Sequence, residues 1–250
     1  MSLSEQEIVV QSGPLKELAR ELCIKAGIPT DHAQLIADLQ VETDLRGVHS
    51  HGTRALPRYL RSIFNGDLIA DPKIKIVEEG PSYTVIDGGN GIGHPSCVQG
   101  MSKAIEKAKK TGIAATGVRN SGHYGAAACY TMMAVEQKMI GFATTNTGGA
   151  SVSAPGGAEP VVANNALSYG FPAGTKQPIL LDMACAVASW GKVETLRMYG
   201  EPIPPGWLLD SEGLPVTGPS DTGKMLAPAA GARGYGLALA MGTLAGPLGL

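Results

Sequence analysis

The chain has 250 residues, of which 44% are hydrophobic and 17% charged, with a formal net charge of −2. That length holds one large domain or two modest ones, and that balance suits a globular protein with a real core. With no basic excess, nothing points to a nucleic-acid or membrane-surface partner.

In chain order, the polar, acidic opening MSLSEQEIVVQ lacks the basic flank and apolar core of a signal peptide. After Pro14, residues Leu15, Leu18, Ala19, Leu22, Cys23 and Ala26 recur at helical spacing, and Lys25 with Gly27 provides a stop. A second helix is predicted from Thr30 or Asp31, either of which can cap it, with its apolar face on Leu35, Ile36 and Leu39. Gln40 interrupts that face and Gly47 ends the run. The two helices read as an αα-hairpin that cannot stand alone. Residues Arg58 to Phe64 are predicted to be helical. The period then changes. Ile74, Ile76 and Tyr83 to Ile86 read as strands, Asp87 to Gly91 as a turn, and Ser96 to Lys110 as a helix that stops at Gly112. Ile113 to Val118 reads as a short buried strand, Gly125 to Gln137 as a helix, and Ile140 to Thr145 as the next strand. The alternation favours α/β layering. Asn146 to Asn165 reads as a long turn-rich loop around a short apolar pair. Ile179 to Met183 is a predicted strand with a helix following from Ala184. Gly200 to Ala230, rich in Pro and Gly, reads as extended surface chain. The uncharged stretch from Gly234 approaches the length of a membrane span, but its glycines and Pro247 argue for a buried helix ending near Gly246-Pro247.

Glycine is abundant, at 34 residues, and gathers between apolar stretches, as loops facing a ligand or approaching other backbone do. The four cysteines form no C-x-x-C pair, so a metal knuckle is unsupported and reduced thiols in a cytoplasmic protein are expected. No histidine spacing matches a familiar metal site.

Five segments carry the residue types of a reactive site. HSHGTRALPRY packs His49, Ser50, His51, Arg54 and Arg58 around Gly52. A neutral imidazole passes protons near pH 7, and either arginine can grip a carboxylate in a bidentate fork. The same residues also suit a solvent-facing loop. VRNSGHYG places Arg119, Asn120, Ser121, His123, Tyr124 and Gly125 at a βα junction, the usual ligand crevice of α/β folds, or in a simple capping loop. TNTGGASVSAPGG with Ala163-Asn164-Asn165 offers room for a flat ligand and amides to bond it, Asn146 and Asn165 among them, or it is disordered chain that binds no ligand. In LDMA, Asp182 needs a partner, either a histidine or the end of a helix. GARGYG sets Arg233 between glycines ahead of an apolar helix, as a phosphate clamp or as a solvated side chain. Neither a Walker A loop nor G-x-G-x-x-G is present.

Taken together, DLRGVHSHG, LPRY, DGGNGIGHP, VRNSGHYG, Thr145-Asn146, APGG, LDMA, Gly191-Lys192, IPPGW and GARGYGLAL resemble, in order and along nearly the whole chain, the malate/L-lactate dehydrogenase family of non-Rossmann oxidoreductases. That family includes ureidoglycolate, sulfolactate, diketogulonate and cyclic imino-acid relatives. The resemblance implies an α/β fold with an N-terminal helical segment. It also implies a dimer with its active site between domains, and hydride transfer between NAD or NADP and a 2-hydroxyacid or 2-ketoacid. Residues 1–115 would form the helical and substrate-side region and residues 116–250 the NAD(P)-binding domain. The catalytic group carries over to Ser50, His51 and Asp182, with substrate contacts at Arg54, Arg58 and His123. Cofactor contacts carry over to Asn120, Ser121, His123, Tyr124, Gly125, Asn146, Asn165, Lys192, Arg233 and Gly234, and no metal is implied. The chain departs from the family pattern in several places. Ala55 stands where an arginine often follows the histidine by four positions. VANNA replaces GTNP, LDMACA replaces LDMATS and GARG replaces GHKG. Relatives are usually longer, so the fold is expected to be incomplete at its C-terminus. The expected activity is that of an NAD(P)-dependent 2-hydroxyacid dehydrogenase. The alternatives are a cyclic imino-acid reductase and an inactive cofactor-binding fragment.

Overall fold

The computed structural model describes residues 8–247. Part of the opening segment read for a signal peptide, and the last three residues of the glycine-rich tail, lie outside them. Contacts group the chain into two compact units interleaved in sequence. The first comprises the residues up to Lys75 together with Gly88–Ser96 and Asn120–Ala126. The second comprises Ile76–Asp87, Cys97–Arg119 and the chain from Ala127 onward.

In the first unit, α1 (Ser12–Lys25) and α2 (Thr30–Leu45) pair as an αα-hairpin, followed by a 3-10 turn (Thr53–Ala55) and α3 (Leu56–Phe64). Its core packs Ala19, Cys23, Ala26 and Ile28 against Ala33, Ile36, Ala37, Leu56, Tyr59 and Leu60. The small side chains set the phase of α1. Leu18 and Leu22 share its periodic stripe but remain 53% and 39% exposed. Helix α1 starts two residues before Pro14, which a first turn tolerates because its N–H groups have no intrahelical partner. Gly27, at φ +87°, ends it. Neither Thr30 nor Asp31 caps α2, whose N-cap is Pro29 with no side-chain bond. Gln40 is fully buried, so it belongs to the inner face it was expected to interrupt.

Strands β1 (Lys75–Glu79), β2 (Tyr83–Gly91) and β3 (Ala115–Ser121) form one sheet in that order, with α4 (Gly93–Thr111) between the last two in sequence. Asp87 to Gly91 is therefore not a turn. The strand runs through it with a left-handed kink at Gly89 (φ +63°) and Asn90 (φ +57°). A Cβ on Gly89 would lie 2.9 Å from the Lys73 nitrogen, so glycine is needed there for close backbone approach. Strand β3 is not buried, and Ile113, expected to begin it, is 77% exposed and lies outside it.

The rest of the second unit holds α5 (Ala128–Glu136), β4 (Gly141–Thr144), β5 (Val152–Ser153), β6 (Pro160–Val162), β7 (Ala166–Phe171), β8 (Ile179–Ala184), α6 (Trp190–Met198), β9 (Leu208–Leu209), β10 (Pro215–Val216), β11 (Met225–Leu226) and α7 (Ala232–Ala245). An antiparallel sheet β4-β7-β8 carries α5 against β4 and β7, and a second sheet runs β10-β9-β11-β5-β6. Three expectations are corrected here. The 146–165 stretch contributes β5 and β6. The Pro- and Gly-rich 200–230 stretch is not surface chain, because it supplies β9 to β11 and the fully buried Ile203, Leu208, Met225 and Leu226. No helix follows β8 directly. Cys185 to Val187 bonds instead to Ala227–Ala229, which delays α6 until Ser189 caps it. Helix α7 ends at Gly246, as expected. Among the described residues no helix is long and apolar enough to cross a membrane.

Candidate active site

The segment from His49 to Thr53 is a tight turn rather than a loose loop. His51 N–H donates to the Val48 carbonyl at 3.0 Å, and Gly52 N–H donates to that of His49 at 3.3 Å. The Asp44 carboxylate, near the end of α2, accepts from Thr53 N–H at 2.9 Å and from the Thr53 hydroxyl at 2.6 Å, and pairs with His49 Nδ1 at 3.2 Å. Gly52 presses against this carboxylate so closely that a Cβ there would lie 2.0 Å from Oδ1. Ser50 Oγ bonds His51 Nδ1 at 2.9 Å, leaving Nε2 as the free edge of the ring. Burial holds the His51 pKa below its ordinary 6.5, and the Arg58 guanidinium adds to the shift.

A second imidazole lies beside the first, with ring centroids of His51 and His123 5.4 Å apart. His123 Nδ1 accepts two hydrogen bonds, from the Tyr59 hydroxyl at 2.6 Å and from Gly125 N–H at 3.1 Å. A nitrogen that accepts from a backbone N–H carries no proton, so the neutral ring holds its proton on Nε2. Burial, the neighbouring His51 and Arg58 push the His123 pKa down to about 3. Burial alone does the same to His94, whose ring meets Tyr59 edge-on at 5.8 Å and whose buried Nδ1 has no partner. Arg58 lies 5.4 Å over the Tyr59 ring, and burial raises the Tyr59 pKa to about 12. Three neutral imidazoles, a neutral phenol and one guanidinium thus come from the His49–Thr53 turn, α3, the start of α4 and the 120–126 segment of a single unit.

The backbone explains why these segments meet. Gly93 N–H donates to the His123 carbonyl at 3.1 Å and Gly122 N–H to that of Gly91 at 2.8 Å, while Ser121 Oγ bonds Ser96 Oγ at 3.1 Å. Asn120 adopts φ +48° and Gly125 φ +77°. A Cβ on Gly125 would sit 2.7 Å from His94 Nε2. The Tyr124 ring lies 6.2 Å from that of His123, tilted by 32°. Arg54 is exposed on the 3-10 turn, and Ala55 is buried.

The remaining sequence-predicted residues lie in the second unit. Asp182 Oδ2 accepts from Ala128 N–H at 3.1 Å, so from β8 its carboxylate caps α5 rather than the helix that follows β8. Asn165 is buried and committed at both ends of its amide. Its Nδ2 donates to the Ala238 carbonyl at 2.8 Å and its Oδ1 accepts from Thr147 N–H at 3.1 Å. Asn164 similarly anchors Ala186 and Ala188. Helix α7 packs its glycines onto asparagines. A Cβ on Gly242 would lie 2.5 Å from Asn165 Nδ2, and one on Gly246 2.5 Å from Asn146 Nδ2. Gly234 is buried against the Cys185 and Ala229 carbonyls. Lys192 and Arg233 are exposed on the first turns of α6 and α7, and among the described residues neither makes an ion pair.

Three participants carry no role in the sequence reading: Tyr59, His94 and Asp44. Tyr59 sits within LPRY and His94 within DGGNGIGHP, but neither segment has a spacing that announces a hydrogen bond to His123. Asp44 lies nine residues before its Thr53 partner, and only the turn between them brings the two together.

A sequence profile for the family described as malate/L-lactate dehydrogenase matches residues 10–250. Among characterised relatives, the chain is 38% identical to the malate dehydrogenase of Pyrococcus abyssi, covering 98% of this chain and 70% of that protein. It is 39% identical to the L-sulfolactate dehydrogenase of Methanocaldococcus jannaschii, covering 90% and 65%. Its fold is similar to the solved malate dehydrogenase of Pyrococcus horikoshii with a TM-score of 0.90 at 35% identity, over 100% of this chain and 70% of that one.

Proposed function

Because this chain belongs to the malate/L-lactate dehydrogenase family, NAD(P)-dependent oxidoreductases that interconvert 2-hydroxyacids and 2-ketoacids, we propose that His51 is the acid/base group of that reaction here. The observation that carries this is the His51 environment. Its Nδ1 is tied to Ser50, its Nε2 is free, and burial together with the Arg58 guanidinium lowers its affinity for a proton. In oxidation the Nε2 lone pair takes the hydroxyl proton as the hydride leaves the same carbon. In reduction imidazolium Nε2–H returns that proton to the carbonyl oxygen. His123 has a different role. A ring neutral down to about pH 3, with Nδ1 occupied by two donors, cannot exchange protons near pH 7, so its Nε2–H serves as a fixed hydrogen-bond donor to the substrate oxygen.

Arg58 supports an anionic substrate. Its guanidinium lies beside both imidazoles and over Tyr59, and it makes no ion pair among the described residues. It grips the substrate carboxylate, with Arg54 as the second candidate. Asp182 has two claims on it, as the partner that orients the imidazole and as the cap of α5.

NAD or NADP supplies or accepts the hydride when bound. The residues present fit a group bearing phosphates. Lys192 and Arg233 are cations without ionic partners among the described residues, on the first turns of α6 and α7, where backbone N–H groups also favour anions. Asn120, Ser121, Tyr124, Gly125, Asn146 and Gly234 complete the proposed contacts, with Asn165 acting through the 145–150 loop that it anchors. Four cysteines, none joined in a disulfide, support a reducing, cytoplasmic setting. The exposed Ile179, Leu180 and Leu181 on edge strand β8 support a homodimer. A steady-state panel tests the reading. The oxidised counterparts of malate, sulfolactate and lactate are offered with NADH and with NADPH, beside a cyclic imino acid. Ketoacid-dependent oxidation of either cofactor is expected, and turnover of the imine alone would overturn the ketoacid reading.

A further inference from the structure

We propose that Asp44 is a positioning residue for His51, acting as a carboxylate staple that fixes the turn carrying the imidazole. The inference rests on the reading of His51 as the acid/base group. Asp44 bonds three groups of the turn, one on His49 and two on Thr53. Oδ2 accepts from the Thr53 backbone at 2.9 Å and the Thr53 hydroxyl at 2.6 Å, and Oδ1 meets His49 Nδ1 at 3.2 Å. These partners bracket Ser50 and His51 from both sides, so the carboxylate ties both ends of the five-residue segment His49–Thr53 to the end of α2. The Asp44 side chain is only 13% exposed, whereas His49 is 69% exposed, so the bonds to Thr53 are the sheltered ones. Gly52 completes the device. Its missing side chain lets the carboxylate sit where a Cβ would be 2.0 Å from Oδ1, a separation no real Cβ tolerates.

The staple acts by geometry rather than by charge. The groups that set the His51 proton affinity are its burial and Arg58, with His123 facing it across 5.4 Å, and Asp44 is not among them. Proton transfer requires the imidazole edge within hydrogen-bond reach of the substrate oxygen, and a misplacement of about 1 Å costs up to about a hundredfold in rate. Loosening the turn also readmits water around His51, whose depressed proton affinity is chiefly a burial effect. A staple lost without unfolding therefore lowers kcat and moves the acid limb of the pH profile up towards 6.5.

The test is a double-mutant cycle on the full chain with cofactor and whichever ketoacid it turns over, with melting temperature and kcat measured side by side. Asp44→Asn and Thr53→Val are expected to lower kcat about tenfold or more with the cofactor KM unchanged, and Asp44→Ala further. Gly52→Ala pushes against the carboxylate from the other side and is expected to match Asp44→Ala. The double variant Asp44→Ala/Gly52→Ala is expected to be no worse than Asp44→Ala, since the colliding partner is gone. Folded Asp44→Ala with wild-type kcat and an unmoved acid limb would overturn the inference. So would additive losses in the cycle, or a kcat that falls only in step with the folded fraction. If His51→Ala retains full turnover, the parent reading fails instead, and the two failures are distinguishable.

Discussion

Burial and the Arg58 guanidinium together keep His51 neutral at lower pH than a free imidazole, and that has a measurable sign. Oxidation of the hydroxyacid needs the neutral base, so its acid limb should lie below pH 6.5, the ordinary imidazole value. Removing the cation in Arg58→Gln should move that limb upward and raise the substrate KM, because the same group is proposed to bind the carboxylate. A limb that stays put in a folded Arg58→Gln would separate Arg58 from His51. Tyr59→Phe leaves the Gly125 N–H as the sole donor to His123 Nδ1. It should lower kcat by about tenfold with little change in cofactor KM, since it acts on the donor that steadies the substrate oxygen. At this scale the sequence is informative for residue types and poor for pairings. Ser50, His51, Arg58 and His123 are visible as chemistry, while the Tyr59–His123 bond spans 64 positions and has no local signature.

Elements place these residues through backbone approach, which glycine and asparagine record indirectly. The stretch from Asp87 to Gly91 has the composition of a turn, yet its glycines serve a kinked strand lying against Lys73, so its conformation follows from tertiary contact. The 200–230 segment misleads in the same way. Its Pro and Gly content hides four large side chains that are completely buried, because strands of two residues are too short to show a period. By contrast α1 and α2 are legible, since each repeats apolar residues at helical spacing over several turns, and α7 is legible from its uncharged stretch and the Gly246-Pro247 that closes it. Asp182 offers a prediction at this scale. Asp182→Ala removes the cap of α5 and should cost about 1 kcal/mol of stability, seen as a lowered urea midpoint. Asp182→Asn keeps an acceptor for Ala128 N–H. It should therefore leave stability nearly intact while lowering kcat if the carboxylate also orients the imidazole, and an unchanged kcat removes it from the catalytic group. Asn165→Ala strands the Ala238 carbonyl and the Thr147 N–H inside the unit and should cost about 3 kcal/mol.

For the whole molecule, two imidazoles buried in neutral form make stability depend on acidity. His94 and His123 titrate at about 3 in the folded protein against 6.5 when exposed, so below pH 6.5 the unfolded chain binds protons that the folded chain refuses. Their contribution is fully present above 6.5 and is lost progressively as pH falls towards 3. Melting temperature should therefore drop between pH 7.5 and 5, and a flat profile would contradict buried neutral rings. The family itself was legible because ten short motifs recur in order. The cofactor preference was not legible, because no acidic or basic residue could be assigned to the adenosine ribose. The central claim is that His51 passes the proton in an NAD(P)-dependent conversion of 2-hydroxyacid and 2-ketoacid. It is tested most directly by comparing kcat/KM for ketoacid-dependent NAD(P)H oxidation in the wild-type protein and in His51→Ala of equal melting temperature. The account predicts a loss of about 10²- to 10⁴-fold. Equal turnover by the two proteins would contradict it.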